Sequence, residues 1–199
     1  MRELDSPKGR PLRVLILFAS CWACALAAHA ADVPFSVGGV YGYGDGIDVY
    51  GVQAAWSPPS ENAYLDKHDL GLRLTAQIAR WVARENQGKF NTPADLAGPR
   101  SLTDGNVMAE LRYWLTPAAP MRPFVEAGFG FHLLSSVHIG GRDMATAFNF
   151  GSQAAAGFLF GENARFELSA LIHHVSNANI KQPNWGMTYG GIRLRVALP

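Results

Sequence analysis

The chain has 199 residues, with 17 basic and 16 acidic side chains for a net charge of +1, so it has no charge excess with which to grip nucleic acid. Its two cysteines, Cys21 and Cys24, both lie near the N-terminus, and everything after them lacks a thiol for a disulfide, a redox centre or a thiolate metal site. The length suits one domain.

Residues 1–30 are read as a secretory signal peptide. Arg2, Lys8, Arg10 and Arg13 precede an apolar core at 14–19, and Ala28 and Ala30 are the small residues a signal peptidase inspects, which places cleavage after Ala30. The core is too short for a stable membrane anchor. A lipoprotein signal at Phe18-Ala19-Ser20-Cys21 is the rival reading, disfavoured because the apolar run continues past Cys21. Cleavage leaves 31–199 as the single domain, free of cysteine although bound for an oxidising compartment. Losing those four basic residues along with Glu3 and Asp5 also turns the balance slightly negative.

No apolar window of 18 residues follows, so no transmembrane helix is expected. Period-two alternation takes its place. Two glycine-rich runs, about 33–43 and 46–57, come first. In 69–78, Leu70, Leu72, Leu74, Ala76 and Ile78 oppose Gly71, Arg73, Thr75 and Gln77. In 107–115, Val107, Ala109, Leu111, Tyr113 and Leu115 oppose Met108, Glu110, Arg112 and Trp114. In 124–133, Val125, Ala127, Phe129, Phe131 and Leu133 oppose Glu126, Gly128, Gly130 and His132. Runs at 148–160, 164–176 and 187–198 repeat the pattern, which makes eight strands.

Eight strands can close a small barrel. A soluble barrel would bury the apolar face, whereas a membrane barrel would turn it to lipid. Strand length and the alternation of short turns near 118–120 and 161–162 with longer connections at 85–100, 137–143 and 177–186 favour the second. The expectation is an all-β, eight-stranded antiparallel outer-membrane β-barrel. A long turn at 56–67 fits that scheme poorly. Arg73, Gln77, Glu110, Arg112, Glu126, His132, Gln153, Arg165, Glu167, Arg193 and Arg195 would then pair inside as a packed polar core, not a conduction path.

One strand ends in chemistry. His174 and Ser176 are two residues apart, so they share a face with Cα atoms roughly 6.6 Å apart, a gap an imidazole can close. The same face carries Ile172, Ala170 and Leu168, and is therefore the apolar exterior. His173 points the other way and is read as an interior hydrogen-bonding residue. With the N-terminus periplasmic, this strand runs outward and carries the pair to the outer rim. The histidines show no metal-ligand spacing, and no cofactor is implied.

The run from His174 to Ala178, followed by Lys181-Gln182-Pro183-Asn184-Trp185-Gly186 and a last strand, resembles the signature of the lipid A 3-O-deacylases of the PagL type. Looser likeness extends over Ala31-Asp32-Val33, the run from Pro123 to Gly128 and Phe148-Asn149-Phe150. The resemblance implies an outer-membrane esterase that removes the 3-O-linked acyl chain of lipid A in lipopolysaccharide, releasing a 3-hydroxy fatty acid. It makes Ser176 the nucleophile and His174 its base. It also assigns oxyanion contacts to Asn177, to Asn179 through its backbone N–H, and to Asn184. The family can carry a glutamate twelve residues after the serine, where this chain has Thr188. Threonine cannot supply a carboxylate, so a dyad with Thr188 as a weak orienter, or a slower enzyme, is expected. Glu167 is the nearest acid in sequence and has interior parity. Lys181 and Arg142 are candidates to meet the lipid A phosphates. A homodimer stays open, and the non-enzymatic alternatives are a structural or adhesion barrel and a soluble barrel holding an apolar ligand.

Overall fold

The computed structural model describes residues 35–58, 65, 67–84, 98–115 and 121–199. The segment assigned to a signal peptide and the turn at 118–120 lie outside them, as does most of the connection at 85–100. Ten strands follow in order: β1 Phe35–Gly44, β2 Ile47–Trp56, β3 Leu70–Ala83, β4 Ser101–Trp114 and β5 Arg122–Leu134. After these come β6 His138–Ile139, β7 Arg142–Asp143, β8 Phe148–Phe160, β9 Phe166–Ser176 and β10 Met187–Ala197. Eight of them close into an antiparallel barrel in the order β1-β10-β9-β8-β5-β4-β3-β2. The two-residue strands β6 and β7 form a small hairpin within the connection from β5 to β8.

Outward side chains are apolar and exposed: Val52, Ile78, Val107, Phe129, Leu133, Ile172 and Ile192 each show more than half of their surface. Inward ones are charged and buried, with Glu110, Arg193 and Arg195 each at 1%. Such inversion suits hydrocarbon outside, where closure also leaves no unpaired backbone edge. The fold is therefore an outer-membrane barrel, and a soluble barrel is excluded by its own polarity.

The lower interior is an ion-pair lattice. Arg112 bridges Glu126 at 2.6 Å and Glu167 at 3.0 Å, while Arg73 meets Glu167 at 2.6 Å. Arg193 reaches Glu126 at 2.7 Å and Glu110 at 3.3 Å, and Arg195 donates to Gln53 at 2.7 Å. Each guanidinium thus meets carboxylate or amide oxygens that offset part of the hydration lost on burial. Arg165 is the exception to the expected interior set: it lies half-buried in the turn before β9.

The upper interior is apolar. Ile47, Val49, Trp81, Leu102, Leu134, Val175 and Met187 pack there with Ile139 and Met144 from the β6–β7 connection. This plug explains why two strands are longer than their alternation predicts. With Trp81 facing inward, β3 runs on to Ala83 instead of stopping at 78, and with Leu102 facing inward, β4 starts at Ser101 instead of 107. There the inner face turns apolar while Arg80, Ser101 and Thr103 stand on the outer one and hydrogen-bond one another, so the alternation reverses. The first hairpin also departs from the expected turn scheme: β1 and β2 join at the long-loop end through Asp45 and Gly46, with φ of 50° and 76°. Positive φ at both central positions is the type I′ turn that Asp-Gly favours.

Removing Glu126 should take from Arg112 and Arg193 the carboxylate each holds most closely, at a cost of about 3–5 kcal/mol. Glu126→Ala is expected to lower markedly the temperature at which the fast-migrating folded barrel converts to the slow form on a gel. An unchanged conversion temperature would contradict this description of the core.

Candidate active site

The pair lies at the upper end of β9, on the outer wall. His174 is exposed and sits directly opposite Thr188 in the β9–β10 register. Its Nδ1 is 2.8 Å from Thr188 Oγ1. With Nδ1–H donating to the threonine, Nε2 keeps its lone pair and can accept a proton. Ser176 closes β9 and pairs across to Phe150 on β8. Phe150 leads into a phenylalanine wall, its ring centroid 6.0 Å from that of Phe129 and 5.4 Å from that of Phe148. The serine therefore has imidazole on one side and apolar surface on the other.

Gly186 brings the two groups to one place. A Cβ built on it would lie 3.1 Å from His174 Cε1 and 3.3 Å from Ser176 Cβ, and its φ of 51° is itself a glycine conformation. No hydrogen bond joins His174 to Ser176 among the described residues.

His173 points inward as expected, buried at 2%, with Nε2 3.1 Å from His132 Nε2. His132 in turn contacts Asp104 through Nδ1 at 2.9 Å. Adjacent histidines on one strand thus serve opposite faces, because successive side chains alternate.

The 177–186 connection is a self-bonded polar loop. Ala178 and Asn179 have φ of 53° and 63°, and Ile180 N–H donates to Asn177 O at 3.1 Å, closing a second type I′ turn. Asn179 Oδ1 accepts from Asn184 Nδ2 at 3.1 Å, and Asn184 Oδ1 accepts the Asn177 backbone N–H at 3.1 Å. Asn177 itself differs from expectation. Its side chain is fully buried, and its amide donates to Met144 O at 3.0 Å and Lys181 O at 2.8 Å. Asn177 fastens the loop to the β6–β7 connection instead of aiming a donor at an oxyanion.

Arg142 is also placed differently from a phosphate contact. It is 6% exposed, donates to Trp185 O and Gly186 O, and lies 3.5 Å from Asp45 Oδ2. Burial pulls this guanidinium below its usual value and the Asp45 charge pushes it back. Lys181 remains exposed at the rim. Asp45 Oδ2 also accepts the Thr188 backbone N–H at 2.9 Å across 143 residues of sequence. Local patterning misses Asp45, the bracing role of Arg142 and the spacing role of Gly186, since each depends on how separate segments meet. Among the described residues, no three His, Cys, Asp or Glu side chains gather as metal ligands.

Comparison with known proteins adds a family. The profile of the lipid A 3-O-deacylases (PagL) matches residues 48–197. Lipid A deacylase PagL of Pseudomonas aeruginosa is 34% identical over 67 residues, which cover 34% of this chain and 38% of that protein. Lipid A deacylase PagL of Bordetella bronchiseptica is 31% identical over 109 residues, covering 51% of this chain and 60% of that one. The aligned segments thus span less than two thirds of either relative. A crystal structure of the outer membrane enzyme PagL superposes with a TM-score of 0.66 at 20% identity, over 81% of this chain and 98% of that one, and shares the fold.

Gly186→Ala would push a methyl between His174 and Ser176 at a backbone angle unsuited to alanine. It is expected to cost at least about tenfold in the rate of any reaction the pair performs, measured on folded barrel. Undiminished turnover would show that the two groups do not act together.

Proposed function

The chain belongs to the lipid A 3-O-deacylase family, and from that membership we propose that it is a serine esterase that hydrolyses the 3-O-linked acyl ester of lipid A in the outer leaflet. The observation that carries the proposal is the His174–Thr188 hydrogen bond on the lipid-facing wall, with Ser176 beside it at the outward end of β9. Export would proceed with loss of residues 1–30 as a signal peptide.

The position of the pair matters energetically. Drawing an acyl chain out of the bilayer into water costs about 0.8 kcal/mol for each methylene, so extracting a dozen would cost on the order of 10 kcal/mol. A catalytic pair on the barrel exterior avoids that cost. The chain stays in lipid along Ile172 and the phenylalanine wall, and only the ester has to meet the serine. Water reaches the same depth from the headgroup side.

In the proposed reaction His174 Nε2 removes the Ser176 proton as Oγ attacks the ester carbonyl carbon. General-base help of this kind is worth about 10²–10⁴ in rate. The carbonyl oxygen becomes negative in the tetrahedral intermediate, and the backbone N–H of Asn179 and the second amide hydrogen of Asn184 are the donors assigned to it. Collapse breaks the bond to the sugar 3-oxygen, which takes the proton back from His174. The acyl group, now on Ser176, is released as a 3-hydroxy fatty acid when water attacks with the same histidine as base. Thr188 Oγ1 holds Nδ1 throughout, which keeps Nε2 towards the serine. Every group named comes from one chain, so a second copy is not needed for the chemistry.

Ser176→Ala is expected to leave the heat-modifiable barrel intact and to abolish release of 3-hydroxy fatty acid from purified lipid A in detergent. Release at the parental rate would rule out the nucleophile and with it this mechanism.

A further inference from the structure

The acid of the expected triad is missing from β10, yet a carboxylate stands behind Thr188. We infer that Asp45, in the turn between β1 and β2, is a positioning residue that supplies the triad's negative charge to His174 through Thr188. The inference rests on the esterase reading above.

Three observations converge on it. Asp45 Oδ2 accepts the Thr188 N–H at 2.9 Å, and Thr188 Oγ1 is 2.8 Å from His174 Nδ1, so one residue separates carboxylate from imidazole. The turn is seated on that residue: a Cβ on Gly44 would land on the Thr188 carbonyl oxygen, so only glycine lets the hairpin lie this close. The β1–β10 ladder ends at Tyr43 and Gly190, and Asp45 takes the Thr188 N–H beyond the last pair.

A type I′ turn does not itself require a carboxylate, since asparagine or glycine fills the same position. The charge has work to do elsewhere. As His174 takes the serine proton its ring becomes positive, and a fixed negative charge one residue away stabilises that cation most where lipid lowers the dielectric. Asp45 also faces Arg142, which grips the carbonyls of Trp185 and Gly186. One carboxylate thereby ties together the residue that orients His174 and the backbone that walls in the pair.

Asp45→Asn removes the charge, on His174 and on Arg142 alike, and keeps a side-chain oxygen that can still accept the Thr188 N–H. The expected result, with lipid A in detergent micelles, is a fall of about tenfold in kcat with KM nearly unchanged, well short of the roughly 10⁴-fold lost when a carboxylate in direct contact with the histidine is removed. The same change made in a Thr188→Glu background, where a carboxylate faces His174 directly, should alter kcat less than about twofold, a pattern a merely structural residue would not produce. Full kcat for Asp45→Asn, or an equal fold-loss in both backgrounds, overturns the inference. Asp45→Gly, which suits the positive φ, gives the same comparison should the asparagine variant fail to fold. Retained activity in Ser176→Ala would remove the esterase reading itself, whereas an inactive Ser176→Ala beside a fully active Asp45→Asn would remove only the role of Asp45.

Discussion

Everything in this molecule follows from closing a sheet in a solvent that cannot hydrogen-bond. In hydrocarbon each backbone N–H and C=O must find its partner within the protein, which the eight-strand ring achieves by joining β1 to β10. Closure forces alternate side chains into two unlike environments. Apolar residues go to lipid, and charge has only the interior to occupy. Arg73, Arg112, Arg193 and Arg195 are accommodated because Glu110, Glu126 and Glu167 are there to meet them. On such a wall an exterior histidine hydrogen-bonded to an exterior threonine stands out, because neither is needed to face lipid.

The same closure assembles the site. β9 delivers His174 and Ser176, β10 delivers Thr188 opposite the histidine, and the 177–186 loop returns Gly186 between them. The β1–β2 turn and the β6–β7 hairpin then reach across the rim, Asp45 to Thr188 and Arg142 to the Trp185 and Gly186 carbonyls. Elements far apart in sequence thus hold a constellation that is mostly local in sequence. On the wall, cross-strand register sets side-chain direction. The loop keeps its shape through the asparagine contacts and the anchoring of Asn177 to Met144 O.

Legibility in the sequence tracked the range of the interaction. Strands with a polar inner face were plain, because Arg112 beside Leu111 or Glu126 beside Val125 reports the period directly. The upper ends of β3 and β4 are obscure, because Trp81 and Leu102 face an apolar plug while Arg80 and Thr103 face out, which reverses the alternation. Parity alone placed His174, Ser176 and Thr188 on one face, since strand period sets that relation. It could not orient a loop asparagine, which is why Asn177 was expected at an oxyanion and turned inward to hold the loop. Asp45 is not legible in the sequence, because its role exists only once the first and last strands meet.

In the proposed reaction an outward serine cuts an acyl ester brought to it sideways through lipid. Mass spectrometry of lipid A after exposure to purified protein in heavy-oxygen water tests it most directly. Attack at the acyl carbon should remove one 3-hydroxyacyl group, put heavy oxygen in the released acid and leave ordinary oxygen at the freed sugar hydroxyl. Unaltered lipid A, or heavy oxygen on the sugar, would contradict it.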